Sequence, residues 1–213
     1  PVPVDAVIGQ IQVTLADIGA DVIKTGMLVS AVLVEAIAEC LAEAASMAPR
    51  VIDPVMVATS GDRLVDAKAI EAIRSELVPR ARLVTPNAPE AEVLTGKVVE
   101  TVDGQRRAAE RLLELGAHGA LVKGGHIGGN KITDVLQTTT GEWIFESPRI
   151  VTMSTHGTGC TLASAIATHL AQGASVPDAV ERGRDYLIGA IRAAKSFGKG
   201  HGPVNHGWVL DSE

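Results

Sequence analysis

Residues 153–167, MSTHGTGCTLASAIA, place a glycine-rich turn directly before an uncharged, alanine-rich run that is predicted to be helical. Gly157 and Gly159 let backbone N–H groups approach a ligand closely, and the unpaired N–H groups of the first helical turn face the same place. The stretch therefore predicts an anion site. In open α/β sheets such sites lie beyond the carboxyl ends of the strands.

On the amino-terminal side of this stretch, short apolar segments alternate with amphipathic ones. The predicted helices cover residues 4–18, 30–47, 66–78, 89–94, 103–116, 158–171 and 177–196, with Ser30 and Asn87 as N-caps of the second and fourth. The predicted strands cover residues 21–27, 50–56, 81–87 and 119–125, and residues 131–137 and 142–147 form a hairpin. This alternation indicates an α/β fold, with a mostly parallel central sheet flanked by helices and an antiparallel edge. Without internal repeats or linkers, residues 1–213 are predicted to form a single domain.

The composition excludes several classes of protein. A formal net charge of -6 and the absence of a basic run argue against nucleic-acid binding. The longest uncharged stretch, residues 150–177, contains polar residues throughout and is not a membrane span. We expect no signal peptide and no disulfide between Cys40 and Cys160. We therefore expect a cytoplasmic protein with Cys40 in its core.

Four predicted strands end in unusual residues: KTGM (24–27), DPVM (53–56), TPNAPEAE (85–92) and KGGH (123–126). Asp53 and Glu90 suit Mg²⁺, which takes one or two carboxylates together with water and substrate phosphates. Lys123 could meet a nucleotide phosphate. Each residue also has an ordinary structural interpretation: a turn-forming Asp before proline, a Glu that complements a helix dipole, and an exposed lysine at a strand end.

Cys160 is predicted to lie among the amide donors of the glycine turn, where its pKa would be lowered and its thiolate could remove a proton from a hydroxyl group. The alternative is a small buried cysteine at the start of a helix. No P-loop, no G-x-G-x-x-G and no G-x-S-x-G motif is present. The histidines at 126, 156, 201 and 206 match no zinc spacing.

Six longer stretches carry a resemblance to a known family. They are KTGML (24–28), VIDPVMVATSGDRL (51–64), LVTPNAPEAEVLTG (83–96), ALVKGGH (120–126), STHGTGCTLASAIA (154–167) and GKGHGPVNH (198–206). In this order the chain resembles the hydroxymethylpyrimidine/phosphomethylpyrimidine kinases of thiamin biosynthesis, which belong to the ribokinase superfamily. The similarity runs from Pro1 to Trp208.

The resemblance implies a ribokinase-like fold, ATP and Mg²⁺ as cofactors, and a small pyrimidine substrate. It implies two transfers, first to the hydroxymethyl group of 4-amino-5-hydroxymethyl-2-methylpyrimidine and then to the resulting monophosphate. By resemblance, Cys160 is the base, and the anion hole consists of Gly157, Thr158 and Gly159. The other implied roles are metal binding by Asp53 and Glu90, ATP binding by Asn87, Lys123 and Thr158, and lining of the pyrimidine pocket by Met27, Val55 and Cys160.

The chain departs from the family at its start, where the expected N-terminal strand and a pyrimidine-reading glutamine are absent; we expect the native chain to be longer. Two other functions stay open: a pyridoxal kinase of the same superfamily, and a non-catalytic small-molecule binder with this fold. The resemblance also suggests a homodimer. The little-charged helical face at residues 31–45 could be core or interface.

Overall fold

The computed structural model describes residues 2–56, 65–195 and 199–210. Its helices are α1 (Val4–Asp17), α2 (Ala31–Ala44), α3 (Ala67–Ala72), α4 (Ala88–Thr95), α5 (Val102–Glu114), α6 (Thr158–Ala171) and α7 (Val176–Arg192). Its strands are β1 (Ile23–Thr25), β2 (Arg50–Ile52), β3 (Leu83–Val84), β4 (Gly119–Val122), β5 (Lys131–Thr138) and β6 (Gly141–Pro148). Residues 57–64 of the motif at 51–64, residue 196 of the last predicted helix and residue 198 of the last motif lie outside the described residues.

The six strands form one sheet in which spatial order follows chain order, from β1 to β6. Strands β1 to β4 are parallel to one another. Strands β5 and β6 are antiparallel to their neighbours and form the predicted hairpin at one edge. The mostly parallel sheet with an antiparallel edge is therefore confirmed.

The predicted helices agree with the structure to within a few residues, except after Asp66. There the regular α-helix α3 ends at Ala72, and the chain continues through a π-helical turn at Ile73–Leu77 and a 3-10 turn at Val78–Arg80. Ser30 caps α2 as predicted, since its Oγ accepts the N–H of Leu33 at 3.3 Å. The parallel strands are shorter than predicted, because ladder pairing stops at or within the polar strand-end motifs.

The two faces of the sheet are covered by different helices. Successive residues of a strand point to opposite faces. Ile52 and Val84 therefore pack into a core shared with α2 to α5. Leu83 and Leu121 lie in a second cluster with residues of α6 and α7, and Val51 packs with further residues of α6. Burying one such side chain contributes about 1.5–3 kcal/mol, so α6 and α7 are held firmly over the second face.

The little-charged face of α2 belongs mainly to the core. The side chains of Val34, Ile37, Ala38, Cys40 and Leu41 are buried. The core position expected for Cys40 is confirmed, with 4% of the residue exposed. In the described part of the chain, no helix has both the length and the apolar character required to cross a lipid bilayer.

Candidate active site

The carboxyl ends of β1 to β4 meet at one edge of the sheet, because these strands are parallel. Backbone hydrogen bonds continue past the strands themselves. The N–H of Asp53 donates to Thr25 O at 3.1 Å, the N–H of Thr85 to Ile52 O at 2.9 Å, and that of Lys123 to Pro86 O at 2.9 Å. The side chains of the strand-end motifs are thereby brought together, as predicted.

Asp53 lies at the centre of this edge, with 1% of the residue exposed. Its Oδ1 is 3.3 Å from Lys123 Nζ, and its Oδ2 is 3.6 Å from Lys24 Nζ. The hydroxyl of Thr85 also donates to Oδ1, at 3.4 Å. A buried carboxylate needs such compensation for its lost hydration. Lys123 is therefore a partly buried partner of Asp53, and its interpretation as an ordinary exposed lysine is wrong.

Lys24 is a site residue that the sequence interpretation missed. It lies in β1, 29 positions before Asp53, and only the fold shows that the two are neighbours. If Gly26 carried a Cβ atom, that atom would lie 2.9 Å from Lys24 Nζ, so the glycine leaves room for the ammonium group. The sequence did contain an indication of this residue, because the lysine of the motif KTGM lies one position before the end of a strand.

Asn87 and Glu90 form a capping box at the start of α4. The N–H of Asn87 donates to Glu90 Oε2 at 2.8 Å, and the N–H of Glu90 donates to Asn87 Oδ1 at 2.9 Å. Glu90 is 4% exposed. Burial raises its pKa, although Lys123 and the N–H groups of Asn87 and Met56 act in the opposite direction. The structural and the functional interpretation of Glu90 are thus compatible, since capping occupies only part of its carboxylate.

The turn before α6 presents free donors. Gly157 has φ +81° and serves as N-cap without any side-chain cap. The N–H of Thr158 makes only a long contact of 3.5 Å with Thr155 O. The N–H groups of Gly159 and Cys160 have no acceptor within the described residues, because no helical turn precedes them. The turn therefore offers free N–H groups of the kind an anion site needs, and the assignment of Gly157, Thr158 and Gly159 as the anion hole stays a prediction.

Cys160 requires a correction. Solvent reaches this residue, so it is not the small buried cysteine of the alternative interpretation. Its pKa was predicted to be lowered, but it is raised. Partial burial of the thiol is the largest cause, and the charge of Asp53 and the hydrogen bond from the thiol to this carboxylate add to it. Lys24 and Lys123 act in the opposite direction without reversing the shift.

The anion turn is supported by a segment near the end of the chain. Thr161, in the first turn of α6, donates to Gly157 O at 2.8 Å and contacts His206 Nε2 at 3.0 Å. The N–H of His156 donates to Gly202 O at 3.1 Å. The sequence analysis considered His206 only as a zinc ligand and missed its contact with the anion turn, although it ends the stretch GKGHGPVNH quoted above.

A family model described as phosphomethylpyrimidine kinase matches residues 1–205. The chain belongs to this family. The phosphomethylpyrimidine kinase model thus covers every described strand and helix, including the strand ends and the anion turn, and the predicted family is confirmed.

The curated relatives of this phosphomethylpyrimidine kinase family member include a named kinase and a protein named for thiamine biosynthesis. The hydroxymethylpyrimidine/phosphomethylpyrimidine kinase of Streptomyces coelicolor is 47% identical over 98% of this chain and 76% of its own length. The thiamine biosynthesis bifunctional protein ThiED of Geobacter sulfurreducens is 48% identical over 96% of this chain, which spans 42% of that protein. The expectation of a phosphotransferase is therefore confirmed.

The fold is also shared with a solved kinase structure. An ADP complex of Bacillus subtilis pyridoxal kinase superposes with a TM-score of 0.90 at 32% identity, over 99% of this chain and 78% of that one. The ribokinase-like α/β fold is thereby confirmed for this member of the phosphomethylpyrimidine kinase family.

Met27 and Val55 lie at the same sheet edge as the charged residues. Met27 follows β1 and is 51% exposed, and Val55 lies two positions after Asp53. The N–H of Val55 donates to Asp53 O at 2.9 Å. Their place in a pyrimidine pocket stays a prediction.

The carboxylates at this edge of the sheet suit Mg²⁺, which takes few protein ligands. Asp53 Oδ2 is buried and accepts no hydrogen bond among the described residues. Within residues 2–56, 65–195 and 199–210, no group of three His, Cys, Asp or Glu side chains could hold a metal ion. Mg²⁺ needs only one or two carboxylates when water and phosphates complete its shell, and Asp53 and Glu90 can supply these.

Proposed function

We propose that this chain transfers the γ-phosphoryl group of ATP to the hydroxymethyl group of 4-amino-5-hydroxymethyl-2-methylpyrimidine and then to the resulting monophosphate. The observation that carries the proposal is the meeting of Lys24, Asp53, Lys123 and Cys160 at the carboxyl edge of the sheet. This arrangement combines cations, a carboxylate oxygen that accepts no hydrogen bond, and a base with unpaired amide donors, which are the groups that phosphoryl transfer requires.

Lys24, Lys123 and the anion turn act on the transferring group. Charge in phosphoryl transfer is spread over the oxygens of that group, and preorganised donors stabilise it. The N–H groups of Gly159 and Cys160 are free to donate to these oxygens, and Lys123 Nζ lies 3.4 Å from the Cβ position of Gly159. Lys123 is therefore placed to bind the ATP phosphates from the side opposite the anion turn. Thr158 contributes the first N–H of that turn.

We assign Cys160 as the base that removes the proton from the acceptor hydroxyl. As thiolate it accepts the hydroxyl proton while the oxygen attacks the phosphoryl group. Its raised pKa makes the thiolate scarce at neutral pH but makes it a stronger base towards an alcohol. The monophosphate acceptor of the second transfer is already anionic and hardly needs a base.

Asp53 and Glu90 would hold Mg²⁺ together with the phosphates of ATP, and Asn87 would position the nucleotide. When bound, the metal ion neutralises charge that develops on the phosphates. The residues themselves keep the carboxylates in place: Thr85 donates to Asp53, and the capping box fixes Glu90.

We further propose that residues 1–213 form one kinase domain that works in the cytoplasm as a homodimer. One sheet contains all six described strands. Apolar side chains that are exposed after β1 and on α2, such as Val29 at 44% and Val32 at 63%, suit a subunit contact.

Pyridoxal kinase is the second candidate, because the B. subtilis pyridoxal kinase superposes with a TM-score of 0.90. The deciding experiment measures ADP release with Mg²⁺-ATP and either the hydroxymethylpyrimidine or pyridoxal as acceptor. It is run on residues 1–213 and, for comparison, on the S. coelicolor relative. Preference for the pyrimidine supports the proposal; turnover of pyridoxal alone, or of neither acceptor, contradicts it.

A further inference from the structure

Residues 201–208, HGPVNHGW, contain most of the last sequence motif and will be called the strap. The first part of the strap pairs with the residues that precede the anion turn. The N–H of His156 donates to Gly202 O at 3.1 Å, and the N–H of Gly202 donates to Met153 O at 3.1 Å. Gly202 is buried, and a Cβ atom on it would lie 3.0 Å from Ser154 Oγ. The strap therefore lies directly against the segment that leads into the turn.

The other part of the strap packs on α7. The hydroxyl of Tyr186 donates to His206 O at 2.7 Å. The indole ring of Trp208 lies so close to Gly189 that a Cβ atom on this glycine would collide with it. Tyr186 and Gly189 lie on the same face of α7, which packs against α6 in the second core cluster. The backbone of His206 is thereby fixed relative to the helix that follows the anion turn.

The side chain of His206 reaches the first turn of α6. Its Nε2 lies 3.0 Å from Oγ1 of Thr161, whose hydroxyl donates to Gly157 O at 2.8 Å. Thr161 is 6% exposed, so its hydroxyl is largely shielded from water. A hydroxyl group has one hydrogen, and when Gly157 O receives it, the ring donates to Oγ1 from Nε2–H. Because a hydroxyl that accepts a hydrogen bond donates a stronger one, the ring strengthens the bond to Gly157.

The bond to Gly157 O fixes the first peptide unit of the anion turn. Gly157 has φ +81° and no side-chain cap. The N–H of Thr161 also donates to Gly157 O, at 2.8 Å, so Thr161 binds this carbonyl through two groups. The same peptide carries the N–H of Thr158, which points away from the carbonyl because the peptide is trans. Thr161 therefore sets the direction of the first N–H of the turn.

His206 favours the rotamer in which Thr161 can bind this carbonyl. In a helix the threonine side chain divides between two χ1 rotamers, because Oγ1 can bond to a carbonyl of the preceding turn. The contact from the strap to Oγ1 stabilises the rotamer that faces Gly157. The N–H groups of a first helical turn point together towards the helix start, so those of Thr158, Gly159 and Cys160 share a direction.

We propose that His206 is a positioning residue for phosphoryl transfer: through Thr161 it holds the peptide of Gly157 and thereby directs the free N–H groups of the anion turn at the transferring group. The inference rests on the proposed kinase function. It predicts a lower kcat with both acceptors, because the anion turn serves both transfers. Loss of the base at Cys160, in contrast, affects mainly the first transfer.

The test compares His206→Ala and His206→Gln with wild type by kcat and KM for the hydroxymethylpyrimidine and for its monophosphate. The amide N–H of glutamine can take the place of Nε2–H. We expect kcat of His206→Ala to fall by about three- to tenfold with both acceptors, the effect of one hydrogen bond. For His206→Gln we expect kcat within about twofold of wild type, and KM for the pyrimidine should change by no more than that in either variant.

The matched control is His169→Ala. His169 lies in the last turn of the same helix and contacts Gln172 Oε1 at 3.2 Å in an exposed position. Its substitution should leave kcat unchanged with both acceptors.

A second substitution tests whether His206 acts through Thr161. Thr161→Val keeps the shape of the side chain and removes the hydroxyl, so it interrupts the contact from the ring to Gly157. In this background His206→Ala should cause no further loss of kcat, because the two substitutions remove the same interaction. Additive losses would show that His206 acts elsewhere, and the inference would be wrong.

Thermal unfolding separates positioning from mere stability. A lowered Tm of His206→Ala with unchanged kcat overturns the inference and leaves the kinase function standing. A loss confined to the hydroxyl acceptor also overturns it, because that result would place the effect at Cys160. Wild-type protein that turns over neither acceptor overturns both the inference and the proposed function.

Discussion

The ammonium of Lys123 lies 3.4 Å from the position that a Cβ atom on Gly159 would occupy. Lys123 follows β4 and Gly159 opens α6, so this approach joins the two segments that we assign to the phosphates. The space between Lys123 and the turn accommodates glycine at position 159, and a side chain at this position would project into that space.

Gly159→Ala should therefore lose activity without losing stability. The Cβ atom would narrow the phosphate site, and we expect kcat to fall by about 10²-fold, as when one donor of an oxyanion hole is lost. Because Gly159 lies within a helix, alanine should leave stability unchanged or raise it by up to about 1 kcal/mol. Steady-state kinetics and thermal unfolding of the same protein samples measure the two effects.

Gly157→Ala is the matched control, since Gly157 has φ +81° and no neighbouring atom within 4 Å of its Cβ position. Left-handed backbone costs a non-glycine residue about 1–2 kcal/mol, so this variant should be destabilised. Equal Tm values for the two alanine variants would contradict this account of the turn.

Cys160→Ala should affect the two transfers unequally. The transfer to the hydroxyl group should slow by about 10²–10⁴-fold, the usual contribution of a positioned base. The transfer to the monophosphate should change much less, because that acceptor is anionic. Separate assays with the hydroxymethylpyrimidine and its monophosphate provide the comparison, and equal losses would refute the assignment of Cys160 as base.

The raised pKa of Cys160 adds a pH dependence to this prediction. The thiolate fraction should still be rising at the pH where an ordinary thiol, with pKa about 8.5, is half ionised. The first transfer should therefore accelerate with pH through this range in wild type. A plateau at neutral pH would instead indicate that the thiolate is already fully formed.

Relative to wild type, Glu90→Gln should become more stable in the ligand-free protein as pH rises. The same substitution should abolish metal-dependent turnover. Burial raises the pKa of Glu90, so the folded state retains a proton that the unfolded state has released. The contribution of Glu90 to stability is full below the unfolded pKa of about 4.3 and is lost as pH rises through the folded value. Glutamine keeps an oxygen for the N–H of Asn87 and carries no charge.

The measurement is Tm of Glu90→Gln minus Tm of wild type, followed from pH 4.5 to pH 8, and it should increase with pH. Glu92→Gln is the control on the same helix, where the carboxylate accepts the N–H of Val99 at 2.7 Å in a partly exposed position. A flat difference for Glu90→Gln would show that burial has little effect on its ionisation.

Lys24→Met tests the residue that was found only in the structure. Asp53 would keep Lys123 as partner, so the protein should fold, but one cation near the phosphates would be lost. We expect kcat/KM for ATP to fall by about 10–10³-fold, the range for one electrostatic donor at a phosphoryl-transfer site. Lys131→Met, which removes an exposed ion pair with Glu146, should leave kcat/KM within twofold of wild type. Identical values for Lys24→Met and Lys131→Met would exclude Lys24 from the site.

The sequence predicted the helices well because their apolar periodicity and caps, such as Ser30 and Asn87, are local signals. Strand lengths were overestimated, since apolar runs such as residues 50–56 continue beyond the positions where a neighbouring strand offers hydrogen-bond partners. The break in the helix after Ala72 was missed, because a π-helical turn has no sequence pattern of its own.

The candidate site was predicted only in part, because only some of its residues lie in local sequence motifs. Asp53, Glu90, Lys123 and Cys160 each end or begin an element within a recognisable motif. The pair of Lys24 with Asp53, and that of Thr161 with His206, join distant segments and follow only from the folded chain. The pKa of Cys160 was predicted in the wrong direction because the helix donors were considered without the Asp53 carboxylate and the partial burial of the thiol.

Because the strands lie in the sheet in the order in which they occur along the chain, each one can pair with its predecessor as the chain leaves the ribosome. The face that carries Val51, Leu83 and Leu121 stays uncovered until α6 and α7 have been synthesised. Cys160 arrives with the same helices. A nascent chain that stops short of them exposes an apolar sheet face and lacks the cysteine that we assign as base, so this proposed base and protection from aggregation are acquired in one late step of synthesis.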